Sequence, residues 1–341
     1  METMYLRHLS YGLLVLAAAL AGCQRPVVPE GELIRFGAEE QVVVKSDFMA
    51  PHDATYLNSS GNKACVYGTW ALTTSSETEA VFDGVTLTCG GTSTSWTYDD
   101  AYSRYWKREG IYVFKAVYPI PEEIEYTTSG THLTVPYSMH TDNYDLMAAS
   151  ARRDMSEGYL GPVVLPFRHA TAAVRFLFRK GEDVADNYAL DFFELQNLYT
   201  VGELIMETDE LSADSWYLAT GYRPASIYRW EAASESEGKP LQTTYGAYTG
   251  YTWYYCIPQS LTVSEDEEHP AVHFRVRMSN GITIENTLLI PETDTDGNPI
   301  SWEPGKVYSY YIGVTPQTTT VRVSVSKWDA AYVSVDELIF S

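Results

Sequence analysis

The stretch AVHFRVRM, residues 271–278, decides the fold class because its side chains alternate strictly in character. Its even-numbered positions are Val, Phe, Val and Met, whereas positions 273, 275 and 277 are His or Arg, so an extended chain would place the two sets on opposite faces. Asn280 and Gly281 follow, and then a second strand-like run, ITIENTLLI. Asn-Gly favours a type I′ turn, which needs positive φ at both central residues. The stretch therefore predicts a β-hairpin with a type I′ turn.

The same period of two recurs along the chain between turn-rich spacers. It is clearest in AVFDGVTLTC (80–89), IYVFKAVYP (111–119), HLTVPYSM (132–139), TAAVRFLF (171–178) and TTVRVSVSKW (319–328). Many short strands at regular spacing predict an all-β sandwich or barrel. Helical periodicity is scarce, and only the Ala-rich run YDLMAASARRDM (144–155) is expected to form a short turn of helix.

Length and charge bound the possible functions. A chain of 341 residues has material for about two domains. Its 45 Asp and Glu residues exceed its 23 Lys and Arg residues, which gives a formal net charge of −22 at pH 7. Such a field repels nucleic acid, so no nucleic-acid partner is expected.

An apolar run at the start of the chain, LLVLAAALAGC (13–23), ends at Cys23. A membrane-spanning helix needs about 20 apolar residues, and this run is about half that length. Preceding basic residues and small residues at its end are typical of a secretory signal peptide. The tetrapeptide LAGC also resembles the bacterial lipobox, in which the cysteine is acylated. We therefore expect residues 1–22 to be a lipoprotein signal peptide, Cys23 to carry lipid, and residues 23–32 to form a tether.

The other cysteines have no metal-binding spacing. Cys65 and Cys89 both lie in strand-like segments and could form a disulfide outside the cytoplasm. Cys256 would then stay free and buried.

Catalytic motifs are absent from the sequence, among them GxSxG, HExxH and a Gly-rich phosphate loop. The seven histidines are scattered, and His169, at the start of a predicted strand, is interpreted as structural. We therefore predict no enzyme activity, no catalytic residue and no cofactor.

Residues 292–303, ETDTDGNPISWE, match the spacing of an EF-hand calcium loop, with Gly at the sixth and Glu at the twelfth position. The first position is Glu instead of Asp, Pro299 occupies a position that is usually small and apolar, and both flanks are strand-like. We therefore favour a polar hairpin loop turned by Asp296 and Gly297, with no bound metal.

Two stretches crowd aromatic residues, STSWTYDDAYSRYW (93–106) and GAYTGYTWYYC (246–256). Exposed rings on one face can bind sugars, so a glycan-binding β-sandwich lipoprotein of the cell surface is the alternative function. Rings buried between sheets would instead indicate core and cross-strand packing.

Several landmarks follow one another in a recognisable order. They are the lipobox at Cys23, LIRFGA (33–38), YWKREGIYVFKAVYP (105–119), DLMAAS (145–150), LPFRHATAAVRFLF (165–178), YYCIPQ (254–259), ISWEPGKVYSYYIGV (300–314) and VSVSKWD (323–329). Together they resemble the fimbrillin family of the Bacteroidales, the lipoprotein pilins of type V fimbriae. No single landmark is specific, and their order over nearly the whole mature chain carries the resemblance.

The resemblance implies a fold, a place and a mode of assembly. The fold would be two transthyretin-like β-sandwich domains in series, residues 33–166 and 167–341. The place would be the outer membrane and cell surface, in a fimbrium, as subunit, anchor or tip acting in adhesion. Expected partners are other fimbrial subunits, receptors on host or bacterial surfaces, and the outer membrane through the lipid anchor.

In that family, subunits assemble by donor-strand exchange. A trypsin-like protease removes the first strand after a basic residue, and an extended strand of the next subunit fills the open groove. The groove-filling residues would be Leu33, Ile34, Phe36 and Ala38. The candidate donor residues, near the C-terminus, are Val333, Val335, Leu338 and Phe340. The first two and the last two fall in opposite phases of an extended chain, so the donor needs a bulge or a break at Asp336 and Glu337.

Arg35 and Lys45 are the candidate protease sites. Arg35 lies within the first strand, and Lys45 comes only after the apolar run at 42–44. Residues 37–40, GAEE, are expected to form an acidic connector with no basic residue. This pattern favours an uncleaved anchor or accessory component over a shaft subunit.

Overall fold

The computed structural model describes residues 31–40, 57–127, 132–158, 161–182, 187–207, 211–218, 226–234, 237–262, 268–293 and 297–327. Within these ranges the regular elements are almost entirely strands, which confirms the all-β prediction. The strands are β1 (Phe36–Glu40), β2 (Lys63–Ala71), β3 (Thr78–Cys89), β4 (Trp96–Thr97), β5 (Ile111–Tyr118), β6 (Glu125–Thr127), β7 (His132–Ser138), β8 (Met147–Asp154), β9 (Val163–His169), β10 (Ala172–Lys180), β11 (Tyr188–Gln196), β12 (Val201–Met206), β13 (Trp216–Leu218), β14 (Ile227–Glu231), β15 (Lys239–Pro240), β16 (Tyr254–Cys256), β17 (Gln259–Ser260), β18 (Ala271–Met278), β19 (Thr283–Leu289), β20 (Ser301–Trp302), β21 (Lys306–Val314) and β22 (Thr319–Lys327). Short 3-10 turns cover Asp100–Tyr102, Met155–Glu157 and Ala213–Ser215. In the described part of the chain, no helix is long and apolar enough to cross a membrane.

Seven strands of the first half form one sheet that closes on itself. Its order is β1-β4-β3-β2-β5-β8-β9, and β1 pairs with both β4 and β9. Alternate residues of these strands point inward and form a continuous apolar core that includes Phe82, Phe114 and Phe167. Burying a large apolar side chain contributes about 1.5–3 kcal/mol, so this interior holds the sheet closed.

The second half contains two sheets that face each other. Their orders are β16-β10-β21-β22 and β14-β11-β18-β19, and β15 adds to β11. Phe176 of the first sheet contacts Phe193 of the second with ring centroids 5.3 Å apart. The apolar positions of β18 lie in this core while its basic residues stay partly exposed, which confirms the alternation read from residues 271–278.

A smaller sheet joins the two halves of the chain. Its order is β13-β12-β7-β6, so strands from before and after residue 167 pair directly. The Nζ of Lys115, on the outer side of the closed sheet, donates to the carbonyl of Met206 at the end of β12. β9 runs across the expected domain boundary between residues 166 and 167. The division into 33–166 and 167–341 stays a prediction.

The hairpin at 271–289 is confirmed, but its turn type is not. Gly281 has φ 85°, whereas Asn280 is not among the residues with positive φ. The N–H of Met278 donates to the carbonyl of Ile282 at 2.8 Å, which closes a three-residue loop. Three-residue hairpin loops need one left-handed residue, so glycine alone satisfies this turn and the type I′ prediction is wrong.

The short helix expected within residues 144–155 is also wrong, because β8 occupies Met147–Asp154 in the closed sheet between β5 and β9. Ala148 contacts the core of the second half, whereas Ala149 and Ala151 contact the core of the closed sheet. Small side chains suit a strand buried on both faces, and this tertiary setting overrides the helix propensity of alanine.

The expected disulfide does not form. Cys65 belongs to the core of the second half and Cys89 to the core of the closed sheet. The two thiols therefore point to opposite sides of the β2–β3 ladder, and both are free. Cys256 is free and buried, as expected.

Candidate functional site: the first strand and its groove

The first strand is the element that closes the sheet of the first half. It runs parallel to β9 over five residue pairs, from Phe36 opposite Val163 to Glu40 opposite Phe167. On its other side it is antiparallel to β4, with Phe36 opposite Trp96. Both neighbours lie far along the chain. Without β1 the sheet would have two free edges and a groove between them.

The alternation of residues 33–38 sets which side chains enter this groove. Ile34, Phe36 and Ala38 are 0%, 2% and 1% exposed, whereas Arg35 between them is exposed. Leu33 is half-buried and forms an isolated bridge with Tyr105. The three residues predicted to share one face therefore all point into the core.

Phe36 is the largest of these side chains and lies among three other rings. Its ring centroid is 5.3 Å from that of Phe82, 5.5 Å from that of Phe114 and 6.0 Å from that of Tyr98. All three contacts are edge to face, a geometry that contributes about 0.5–1.5 kcal/mol per pair beyond simple burial. The first strand is therefore held by core packing as well as by backbone pairing.

On the side of the first strand that faces β4, the backbone groups form hydrogen bonds outside the regular strand ladder. The N–H of Ile34 donates to the carbonyl of Arg104 at 2.8 Å, and the N–H of Ala38 donates to that of Ser93 at 2.8 Å. The hydroxyl of Tyr98 donates to the carbonyl of Ile34 at 2.6 Å. Burial raises the pKa of this hydroxyl, so it stays protonated and available as a donor at neutral pH. Nothing in the sequence pattern marked Ser93, Tyr98 or Arg104 as partners of the first strand.

A pocket of about 410 Å³ opens beside the first strand. It is lined by Leu33, Ile34, Arg35, Phe36, Thr94, Trp96, Thr97, Tyr98, Asp100, Ser103 and Pro162. The space lies between β1 and the segment that carries β4.

The structure corrects the expected acidic connector. Residues 37–40 continue β1, and Glu39 and Glu40 pair with Pro166 and Phe167. The backbone of β9 supplies partners for this segment, which overrides the weak strand propensity of Gly and Glu. Residues 37–40 therefore belong to the first strand and not to a connector.

Several predicted site residues lie outside the described ranges. These are Cys23, Lys45, Val333, Val335, Leu338 and Phe340. The structure brings together Leu33, Ile34, Phe36 and Ala38 and places Arg35 among them.

The described residues contain no group of His, Cys, Asp and Glu that could hold a metal. Glu292, the first position of the calcium-like loop, has a carboxylate oxygen 2.6 Å from Nδ1 of His269. Residues 294–296 of this loop, with Asp296 of the predicted turn, lie outside the described ranges. His169 is buried, with its Nδ1 2.9 Å from a carboxylate oxygen of Asp145.

Five of the ten rings in the two aromatic stretches are buried, among them all three tryptophans. Trp96, Trp106, Trp253, Tyr254 and Tyr255 are each at most 8% exposed. Tyr102, Tyr105 and Tyr251 are about half exposed. Burial of all three tryptophans in apolar clusters is the pattern expected of core packing and not of a sugar platform.

Comparison with known proteins agrees with this architecture. The family model described as fimbrillin-like matches residues 54–328. No curated protein sequence matches the chain.

Solved structures with this fold come from several Bacteroides species. A proposed cell adhesion protein of Bacteroides uniformis aligns with TM-score 0.53 and 15% identity, over 88% of this chain and 99% of that one. Another from Bacteroides ovatus aligns with TM-score 0.52 and 16% identity, over 89% and 99% of the two chains. A fimbrial protein of Bacteroides vulgatus aligns with TM-score 0.53 and 12% identity, over 88% and 100%. At these identities the likeness shows the fold alone.

Proposed function

This chain belongs to the fimbrillin-like family, and we propose that it is a fimbrial subunit of the cell surface that assembles by strand exchange at the first-strand groove. Membership of this family of fimbrial structural proteins confirms the prediction that the chain is not an enzyme. The observation that carries the proposal is the position of β1, which closes the sheet between β4 and β9 and buries Ile34, Phe36 and Ala38.

Loss of β1 would create a binding site for another strand. The parallel edge of β9 would offer five unpaired positions, and the vacated core would offer adjacent apolar pockets. An incoming strand gains affinity from main-chain hydrogen bonds and register from the side chains that enter the pockets. The occupant must therefore have bulky apolar residues at every second position.

The C-terminal segment of another copy meets this requirement in one of its two phases. Leu338 and Phe340 repeat the spacing of Ile34 and Phe36, with one residue between a branched aliphatic side chain and a phenylalanine. Val333 and Val335 fall in the other phase, so they would enter the groove only across a bulge. We infer that Leu338 and Phe340 are the side chains that enter the groove first.

Release of the first strand needs a cut after Glu40. Lys45 is the only Lys or Arg between residues 41 and 62. Arg35 is less suited, because its peptide lies inside the groove-filling segment and cleavage there would leave Phe36 and Ala38 in place. Residues 37–40 belong to the first strand, so their lack of a basic residue no longer argues for an uncleaved anchor. We assign Lys45 as the processing site.

The remaining expectations fit the same role. Acylation of Cys23 would hold the unprocessed chain at the outer membrane through residues 23–32, because two or more acyl chains anchor stably. Cleavage at Lys45 would release the chain for assembly in fimbriae that act in adhesion. The two domains would be transthyretin-like units covering 33–166 and 167–341. Glycan binding is not favoured, since all three tryptophans of the aromatic stretches are buried.

Substitutions in the C-terminal segment test this assignment in cells. We expect Leu338→Asp and Phe340→Asp to abolish the ladder of fimbrial polymers on gels, because a carboxylate cannot enter an apolar pocket. Ile339→Asp is the matched control, since its side chain points away from the groove in that register, and it should leave the ladder intact. An unchanged ladder with Phe340→Asp, or equal loss with Ile339→Asp, would overturn the strand-exchange assignment.

A further inference from the structure

We propose that two copies of the chain pair edge to edge through β19, in a symmetric antiparallel dimer that extends the sheet β14-β11-β18-β19. Among the described residues, β19 pairs with β18 on one side only, so its other edge has no strand partner. A strand edge of seven residues presents a row of N–H and carbonyl groups that another strand can bind.

The edge of β19 carries one of the devices that proteins use to prevent such pairing, the charge of Glu285, and lacks the others. Long exposed edges are normally interrupted by charged side chains, above all lysine, by proline or by a β-bulge. The segment TIENTLL contains no lysine or proline, and its register with β18 runs without a shift from Ala271 opposite Leu289 to Arg277 opposite Thr283. The other long edge strand, β22, carries the exposed Arg322 in its middle. β19 is therefore the edge better suited to self-pairing.

Apolar side chains accompany this open edge. Ile284 and Leu288 are only half-buried, although both pack against the core of the second half. Ile282 and Leu289, at the two ends of the strand, are 55% and 59% exposed. A strand laid along this edge would cover part of this surface, which favours association.

The charges and the pairing register of β19 favour a second copy of the chain as the partner that binds its free edge. In a symmetric antiparallel pair one residue lies on the two-fold axis, opposite its own equivalent. With Asn286 on the axis, all seven residues find partners, Ile284 lies opposite Leu288, and Glu285 lies opposite Thr287. No like charges meet in this register, and the apolar residues of the inner face meet each other.

Neighbouring registers are less favourable. With Glu285 on the axis, two carboxylates would lie directly opposite each other, which destabilises a sheet. With Thr287 on the axis, Thr283 would lie opposite Pro291, which has no N–H to donate. A register shifted by an odd number of residues would turn Ile284 and Leu288 away from the core side of the sheet. The register centred on Asn286 is the one that satisfies all three conditions.

The dimer is independent of the proposed strand exchange, because β19 belongs to a different sheet from β1. A pair of seven-residue strands buries less than the roughly 1,600 Å² of a standard stable interface. We therefore expect a concentration-dependent dimer in solution that is favoured where chains are crowded on a surface.

Disulfide trapping tests both the pairing and its register. Thr283 lies opposite Leu289 of the second copy in the proposed register, and residues opposite each other have Cα atoms about 4.5–5.5 Å apart, within disulfide reach. Two full-length single variants, Thr283→Cys and Leu289→Cys, are made with different tags, mixed and oxidised. Cys65, Cys89 and Cys256 are buried, and Cys23→Ala in both variants removes the fourth cysteine of the chain, so the introduced thiols are the reactive ones.

We expect a crosslinked heterodimer in the mixture and little crosslinking in either variant alone. Equivalent Thr283 positions would be six residues apart along the strands, or about 20 Å. Absence of the mixed crosslink at high protein concentration would overturn the proposal, whether the edge stays free or is covered by residues 328–341 of the same chain. Equal crosslinking in the single variants would overturn the register.

Two substitutions of Thr287 that introduce opposite charges provide the second test. Thr287→Glu would place a carboxylate opposite Glu285 of the second copy at both symmetric positions, whereas Thr287→Lys would place an ammonium group there. We expect Thr287→Glu to weaken the dimer several-fold in sedimentation equilibrium, and Thr287→Lys to preserve or tighten it. Equal effects of the two substitutions would contradict the pairing of Glu285 with Thr287.

Discussion

Phe36 and Phe114 meet edge to face inside the closed sheet, with ring centroids 5.5 Å apart and ring planes at 86°. Phe36 comes from the first strand and Phe114 from β5, which lies across the interior in the strand order. The contact therefore links the end of the chain that would be removed in processing to the centre of the domain. Replacement of the first strand requires an equivalent side chain at this position.

Truncation of Phe36 should destabilise the first half of the chain strongly. We expect Phe36→Ala to lower the free energy of unfolding by about 3–5 kcal/mol, because it opens a cavity among three aromatic rings. Arg35→Ala is the control, since its side chain is exposed and the change should stay within about 0.5 kcal/mol. Urea unfolding followed by tryptophan fluorescence measures both. A cost below about 1 kcal/mol for Phe36→Ala would mean that the first strand does not fill the core.

The peptide bond after Arg35 should resist trypsin in the folded protein. The carbonyl of Arg35 accepts from the N–H of Val163 at 2.8 Å, and the residues on either side are buried. Cleavage there requires local unfolding of the strand, so it should follow the population of the open state. Limited proteolysis with mass spectrometry should find the cut in urea and not in buffer. Rapid cleavage after Arg35 in buffer would show that the first strand is not held as described.

Local patterns predicted most of the fold because β-strand alternation depends only on neighbours in sequence. The run at 271–278 became β18, and the alternation at 171–178 became β10, with the expected residues buried. The burial of Ile34, Phe36 and Ala38 followed from the same rule.

Features that depend on distant partners could not be predicted in this way. Residues 37–40 form a strand because β9, more than 120 residues further on, supplies their hydrogen bonds. The Ala-rich segment becomes β8 because it lies between β5 and β9, and its small side chains fit cores on both faces. The separation of Cys65 from Cys89 depends on which side of the β2–β3 ladder each thiol faces. The periodicity of the sequence does not indicate which distant segments become neighbours in the fold.

Loss of the lipid acceptor should release the chain from the membrane. We expect Cys23→Ala to abolish acylation, measured by incorporation of labelled fatty acid, because no other residue has the lipobox setting. The variant should also leave the membrane fraction, since two or more acyl chains supply stable anchoring. Gln24→Ala is the matched control and should behave as the unmodified chain. Unchanged membrane retention of Cys23→Ala would refute the lipoprotein assignment.

The N-terminus of the protein in purified fimbriae tests the central claim most directly, because an exchangeable first strand must be absent from an assembled subunit. Mass spectrometry of the fimbrial fraction should give a terminus at Ser46, just after Lys45, while the unassembled membrane fraction keeps acylated Cys23. A Lys45→Gln variant should then remain in the membrane fraction with its first strand in place. If assembled fimbriae instead contain chains that begin at acylated Cys23, with residues 33–40 intact, the groove is never emptied and this chain does not polymerise by exchange of its first strand.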